Sequence, residues 1–178
     1  PFMHIDQTGP DAAENVLFEI RRPRIASAVL IGAALSLAGV CYQGMFRNPM
    51  VSPDILGAST GAGFGASLAI IAGAGYFAIS ATAFAFGLGA VFLAYLVSRF
   101  SRTNATLAMI LGGMVISSLF SAGTSFLKLI ADTEEQLPAI TYWLMGSLTS
   151  IKPEDLRFLC IPMAIGIIPL FLIRWRLN

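Results

Sequence analysis

Charged residues fall in clusters along this chain, and the stretches between them are long and almost purely apolar. No Asp, Glu, Lys or Arg lies between Arg24 and Arg47, between Asp54 and Arg99, or between Thr103 and Lys128. A bilayer core takes about 20 mostly apolar residues of helix, so each gap is long enough to cross one. The second gap is long enough for two crossings, and Ala72-Gly73-Ala74-Gly75 is its natural break. A shorter apolar run over 158–173 carries Pro162 and Pro169, which membrane helices tolerate because neighbouring groups re-satisfy the freed carbonyls. The pattern therefore predicts an all-α polytopic bundle of about five spans, over 25–46, 55–72, 76–98, 103–127 and 158–173.

Residues 131–157 differ in kind. Asp132, Glu134 and Glu135 open the segment, and Lys152, Glu154 and Asp155 close it. Between them Leu137, Ile140, Trp143, Leu144 and Leu148 recur with helical spacing, and Tyr142 and Trp143 suit the headgroup level. A short interfacial helix is expected there, an ordinary loop being the alternative. Residues 1–24 form a polar tail with no apolar leader run, ahead of a membrane domain over 25–178.

Composition supports the membrane reading. Hydrophobic residues make up 56% of the 178 and charged residues 12%, where soluble domains carry about 25% charge. With a mean hydropathy of +0.77, too few polar side chains exist to coat a water-soluble core, so the surplus apolar surface faces lipid. The net charge of +1 gives no electrostatic case for nucleic acid. Positive charge is spread almost evenly over the two faces that five spans define, so counting Lys and Arg does not orient the chain.

Candidate chemistry is sparse. Cys41 and Cys160 sit alone in apolar runs, and His4 has no carboxylate or Cys in metal-ligand register. No cofactor or metal site is expected, and the chain reads as a non-enzyme. An acid or Lys inside the spans would suggest an ion-coupled carrier, and none is present. The driving energy for transport then comes from outside the chain, unless the protein is a passive pore or a part beyond this sequence carries the charges. Ser117, Ser118, Ser121, Thr124 and Ser125 form a hydroxyl cluster in the fourth span, with two readings left open: bonding to the helix's own carbonyls or between helices, or a polar stripe along a water-filled pathway. Gly57, Gly61 and Gly65 repeat at spacing four, a face on which helix backbones approach closely. A phosphate-binding glycine loop is excluded, since no strand precedes the run and no Lys follows it.

Four ordered blocks carry a resemblance. Ile20-Arg21-Arg22-Pro23-Arg24 is the first. The second is Gln43-Gly44-Met45-Phe46-Arg47-Asn48-Pro49 with Pro53-Asp54-Ile55-Leu56-Gly57-Ala58-Ser59-Thr60-Gly61-Ala62. Leu111-Gly112-Gly113 and Tyr142-Trp143-Leu144-Met145-Gly146-Ser147-Leu148 complete the set. Together they resemble the FecCD-type permeases, the membrane subunits of bacterial ATP-binding-cassette (ABC) importers for siderophores, haem and vitamin B12. The resemblance implies the second to sixth of about ten family helices, without the first helix and the ATPase-docking half. It places the chain in the inner membrane with the 1–24 tail outside. It further implies docking of an extracytoplasmic substrate-binding protein on Arg21 and Arg24, and an inner gate at Asn104, Ala105 and Thr106. Ser117, Ser121 and Thr124 would line a pathway shared with a second permease copy, beside helix packing at Gly57, Gly61 and Gly65. ATP would be bound by separate cytoplasmic subunits. The cargo stays open among ferric siderophore, haem, cobalamin and an oxyanion, and a channel or scaffold subunit with no ATPase is the alternative function.

Overall fold

The computed structural model describes residues 18, 21–49, 51–100, 104–149, 151 and 153–173. His4, nearly all of the 1–24 tail, Arg102, Lys152, Arg174 and Arg176 lie outside that set. The described residues form six α-helices and one 3₁₀ turn, with no strand among them. They divide into two compact units.

One unit comprises 1–47 and 147–178. Its helices are α1, Arg22–Phe46, and a C-terminal helix, Pro153–Ile173. Pro23 stands in the first turn of α1, where a missing N–H costs nothing. At the other end Arg47 adopts a left-handed conformation (φ 49°), and its N–H bonds back to the carbonyls of Gln43 and Gly44. Pro49 follows two residues later and cannot continue a helix.

The second unit, 48–146, holds four helices. These are α2 (Ala58–Ile71), α3 (Tyr76–Phe100), α4 (Ala105–Ile130) and α5 (Gln136–Met145). The C-terminal helix Pro153–Ile173 is α6. Among the described residues α1, α3 and α4 are each long and apolar enough to cross a membrane.

Span 55–72 departs from the expectation of one continuous crossing. Its helix proper has 14 residues, about 21 Å at 1.5 Å per residue, against a hydrocarbon core of about 30 Å. The chain before it is a non-helical strap ending in the 3₁₀ turn Pro53–Leu56. Two prolines, at 49 and 53, deny this stretch a regular helix.

Three backbone hydrogen bonds lie within the described part of the strap. Val51 N–H bonds Asn48 O (3.3 Å), Ile55 N–H bonds Ser52 O (3.2 Å) and Gly57 N–H bonds Asp54 O (3.0 Å). The Ser52 hydroxyl caps the turn by accepting from Asp54 N–H at 3.3 Å. Val51 and Leu56 of the strap are buried against the helices.

Small residues set how tightly the second unit packs. A Cβ on Gly61 would fall 2.6 Å from the Ala90 Cβ and 2.7 Å from the Phe86 carbonyl oxygen. One on Gly65 would fall 2.7 Å from both the Phe86 Cβ and the Thr82 carbonyl oxygen. Both glycines are therefore where α2 and α3 touch backbone to backbone. Gly57 is not on that face. It precedes the helix in a left-handed conformation (φ 78°), joins the 3₁₀ turn to α2, and lies against the backbone of Ser117. Spacing alone cannot distinguish a third helical glycine from a left-handed junction one residue before the helix.

Around this contact Phe64, Phe86 and Phe120 bring one ring from each of α2, α3 and α4 together, with centroids 5.4–6.3 Å apart in tilted and edge-on geometry. Such aromatic pairs contribute roughly 0.5–1.5 kcal/mol beyond their buried area.

A candidate pathway groove at the half-length helix

The position of α2 along its neighbours defines the site. The Ala58 carbonyl, at its first residue, lies 3.2 Å from where a Cβ on Gly87 would stand, and Gly87 is the twelfth of the 25 residues of α3. Gly57 meets Ser117, the thirteenth of the 26 residues of α4. The N-terminus of α2 thus opens at the midpoint of both long helices. The 3₁₀ turn that ends the strap packs against both long helices. Its Ile55 carbonyl presses onto α4 at Gly113, where only a residue without a side chain leaves room.

A groove of about 260 Å³ runs beside this junction, lined by Ser59, Thr60 and Gly63 of α2, Ser121 and Thr124 of α4, and Leu144 of α5. Four of its six lining residues carry hydroxyls and none carries a charge. Thr124 donates to the Phe120 carbonyl at 2.9 Å. The Thr60 hydroxyl donates to Gly57 O at 3.0 Å and lies 3.1 Å from the Ser117 hydroxyl.

The hydroxyl cluster of α4 thus divides its tasks. Ser118 and Ser125 bond back to Met114 O and Ser121 O at 2.9 and 3.0 Å, within their own helix. Ser121 and Thr124 border the groove. Ser117 is not among the groove's lining residues; it ties α4 to Thr60 instead. The sequence singled out Ser117, Ser121 and Thr124 but missed Ser59, Thr60, Gly63 and Leu144. Ser59, Thr60 and Gly63 sit in the small-residue run, where the adjacent hydroxyls of Ser59 and Thr60 were the available signal.

One end of this arrangement is held by Gln136. Its Nε2 donates to Ile71 O, the last carbonyl of α2, at 3.3 Å, and its Oε1 accepts from Asp132 N–H at 3.1 Å. The Asp132 carboxylate in turn accepts from the N–H groups of Glu134 and Glu135 at 3.1 and 2.9 Å. Such side-chain caps supply partners for helix-end groups that have none within the helix. The helix that follows, α5, buries Ile140 completely and leaves Tyr142 largely exposed.

Asn104 caps the opposite end of α4: its Oδ1 accepts from Thr106 N–H at 3.1 Å and its carbonyl from Ala108 N–H at 2.9 Å. Asn104 and Ala105 are exposed and Thr106 is partly covered. In the other unit, Arg21 and Arg24 are both exposed at the start of α1. Arg24 donates to the Thr149 carbonyl at 3.2 Å. Among the described residues no cluster of three or more His, Cys, Asp or Glu could hold a metal ion.

Known proteins resemble this chain in sequence and fold. A sequence model of the FecCD transport family matches residues 2–178. A molybdate import system permease protein of Haemophilus influenzae is 42% identical over 165 residues, covering 93% of this chain and 49% of that protein. A protein of Helicobacter pylori described as a probable iron chelatin transport system permease is 39% identical over 177 residues, covering 99% and 52%. A vitamin B12 import system permease protein of Citrobacter koseri is 31% identical over 157 residues. The chain spans about half the length of the curated relatives it matches. A solved inward-facing structure, described as an ABC transporter of metal-chelate type, superposes with a TM-score of 0.86 at 41% identity, covering 99% of this chain and 56% of that one.

Proposed function

The chain belongs to the FecCD transport family, and from that premise we propose that it builds one wall of the membrane pathway of an ATP-driven importer. It is a multi-pass protein of the inner membrane. Its relatives are permease subunits, and the chain is read as a permease segment with no catalysis of its own. ATP is then bound by separate cytoplasmic subunits, a substrate-binding protein delivers cargo from outside, and a second permease copy completes the pathway. The basic start of α1, with Arg21 and Arg24, faces the binding protein. Asn104, Ala105 and Thr106 stand at the inner gate.

The observation that carries this reading is the groove at the half-length helix. A pathway must bind its cargo weakly enough to release it. Uncharged hydroxyls from Ser59, Thr60, Ser121 and Thr124 offer hydrogen bonds without a fixed charge to trap an ion. Non-helical backbone at membrane depth is tolerated where it is packed in protein or lines a cavity, and the strap entering α2 meets that condition. The cargo class that fits both lining and kinship is a metal-containing solute, a ferric chelate, a cobalamin or molybdate, handed over already bound.

The test is uptake by the assembled importer in proteoliposomes, offered radiolabelled ferric siderophore, cobalamin and molybdate with the binding protein. ATP-dependent accumulation of one of them is expected, and Ser121→Leu combined with Thr124→Leu should cut it at least tenfold without loss of assembly. Flux that needs neither ATP nor binding protein would favour a passive channel instead.

A further inference from the structure

Ser117, Ser121, Thr124 and Lys128 follow one another along α4 at spacings of four, three and four residues. At about 100° per residue they fall within about 60° of one another around the helix axis, on a single stripe. Contacts with other helices place the first three: Ser117 meets Thr60 of α2, and Ser121 and Thr124 border the groove. Lys128 continues the stripe beyond Thr124, after a rise of about 6 Å. It is the one charged residue between Arg102 and Asp132 in sequence, and it is partly buried.

Helical side chains lean toward the N-terminus of their own helix, so Lys128 tilts toward the turn that holds Thr124. That lean brings an ammonium on a flexible four-carbon stem beside the end of the groove. A cation in a last turn also complements the carbonyl end of its helix, but that role selects no particular face. Here the outward directions of the last turns belong to Phe126, Leu129 and Ile130, all exposed. Asp132, the next acid along the chain, has its Oδ2 engaged by the N–H groups of Glu134 and Glu135. A charge in a membrane helix that faces a cavity rather than lipid commonly marks the path of a solute.

We propose that Lys128 is a specificity-determining residue at the outer mouth of the groove, and that the cargo is an anion, either an oxyanion or a metal chelate of net negative charge. The proposal rests on the pathway reading above and deepens it, since that reading leaves the charge of the cargo open. A fixed cation at a cleft raises the local concentration of anions. The groove beyond it is lined by hydroxyl-bearing and apolar residues, so an anion drawn in meets no second cation to hold it.

The experiment measures import by the assembled importer in proteoliposomes with its own substrate-binding protein. The cargoes are molybdate, an anionic ferric tris-catecholate, a neutral ferric tris-hydroxamate and cyanocobalamin. ATP-dependent accumulation should be confined to one of the two anions. Lys128→Met should slow it about fivefold, Lys128→Glu should slow it further, and Lys128→Arg should stay within about twofold of the parent. Added salt should slow the parent and change Lys128→Met much less.

ATP-dependent accumulation of a neutral cargo alone would overturn the proposal. So would anion import left unchanged by Lys128→Met; a lowered thermal midpoint beside it would mark a cation that serves only the end of α4. Uptake that needs neither ATP nor binding protein sinks the importer reading instead. The role of Lys128 is then decided in the same vesicles, by whether Lys128→Met lowers the passive flux of molybdate relative to cyanocobalamin.

Discussion

The Thr60 and Ser117 hydroxyls, 57 residues apart in sequence, lie 3.1 Å from each other where the first turn of α2 meets the middle of α4. Thr60 also donates to Gly57 O, so this contact joins the left-handed junction, the half-length helix and the long helix at one point. Interhelical hydroxyl bonds in membranes average about 0.6 kcal/mol and reach about 1.7. A double-mutant cycle of Thr60→Val and Ser117→Ala should return a coupling in that range from unfolding in detergent. A coupling of zero would mean that the strap and Gly113, not the hydroxyls, hold the junction.

Gly61→Ala should destabilise the protein by about 1–3 kcal/mol, the usual cost of forcing a methyl group into a filled space. Its Cβ would meet backbone and a Cβ on α3, neither of which can rotate away. Gly89→Ala, on the same α3, has nothing within 4 Å and should be neutral or stabilising by up to about 1 kcal/mol through helix propensity. Thermal midpoints of the two variants, measured side by side, check the contrast.

Replacing Gln136 with Leu removes both of its hydrogen bonds, to Ile71 O and from Asp132 N–H. Each such bond contributes about 0.5–1.5 kcal/mol net, and less where water can substitute. The expected result is faster amide exchange over 68–74, at the end of α2, with the middle of α3 unchanged. Uniform acceleration in both helices would instead signal global unfolding.

Ser27 is buried, and among the described residues its hydroxyl has no hydrogen-bond partner. Burying an unpaired hydroxyl carries a desolvation penalty of about 1–3 kcal/mol. Ser27→Ala should therefore keep or raise the thermal midpoint. A clear drop would show that the hydroxyl meets a partner once the assembled protein surrounds it.

Much of the fold is legible from residue order alone. Charge-free runs between charged residues mark α1, α3 and α4, because a charge inside lipid is costly enough to be kept out. Pro49, Pro53 and Gly73 mark breaks, through a missing N–H in the prolines and an allowed positive φ (68°) at the glycine. Gly61 and Gly65 are found by their spacing, since a four-residue repeat places them on one helix face.

Other features are decided only when the helices pack. An apolar run reads the same whether its helix crosses the full bilayer or starts halfway. The strap's contact with Gly113 is what places the start of α2 opposite Gly87 and Ser117. Among equivalent hydroxyls, neighbours 57 residues away decide that Ser117 ties helices while Ser121 and Thr124 border a groove. Sequence order fixes local conformation and preference for lipid, which depend on residue type and spacing. Register between helices depends on which surfaces interlock, and that is a property of the packed chain.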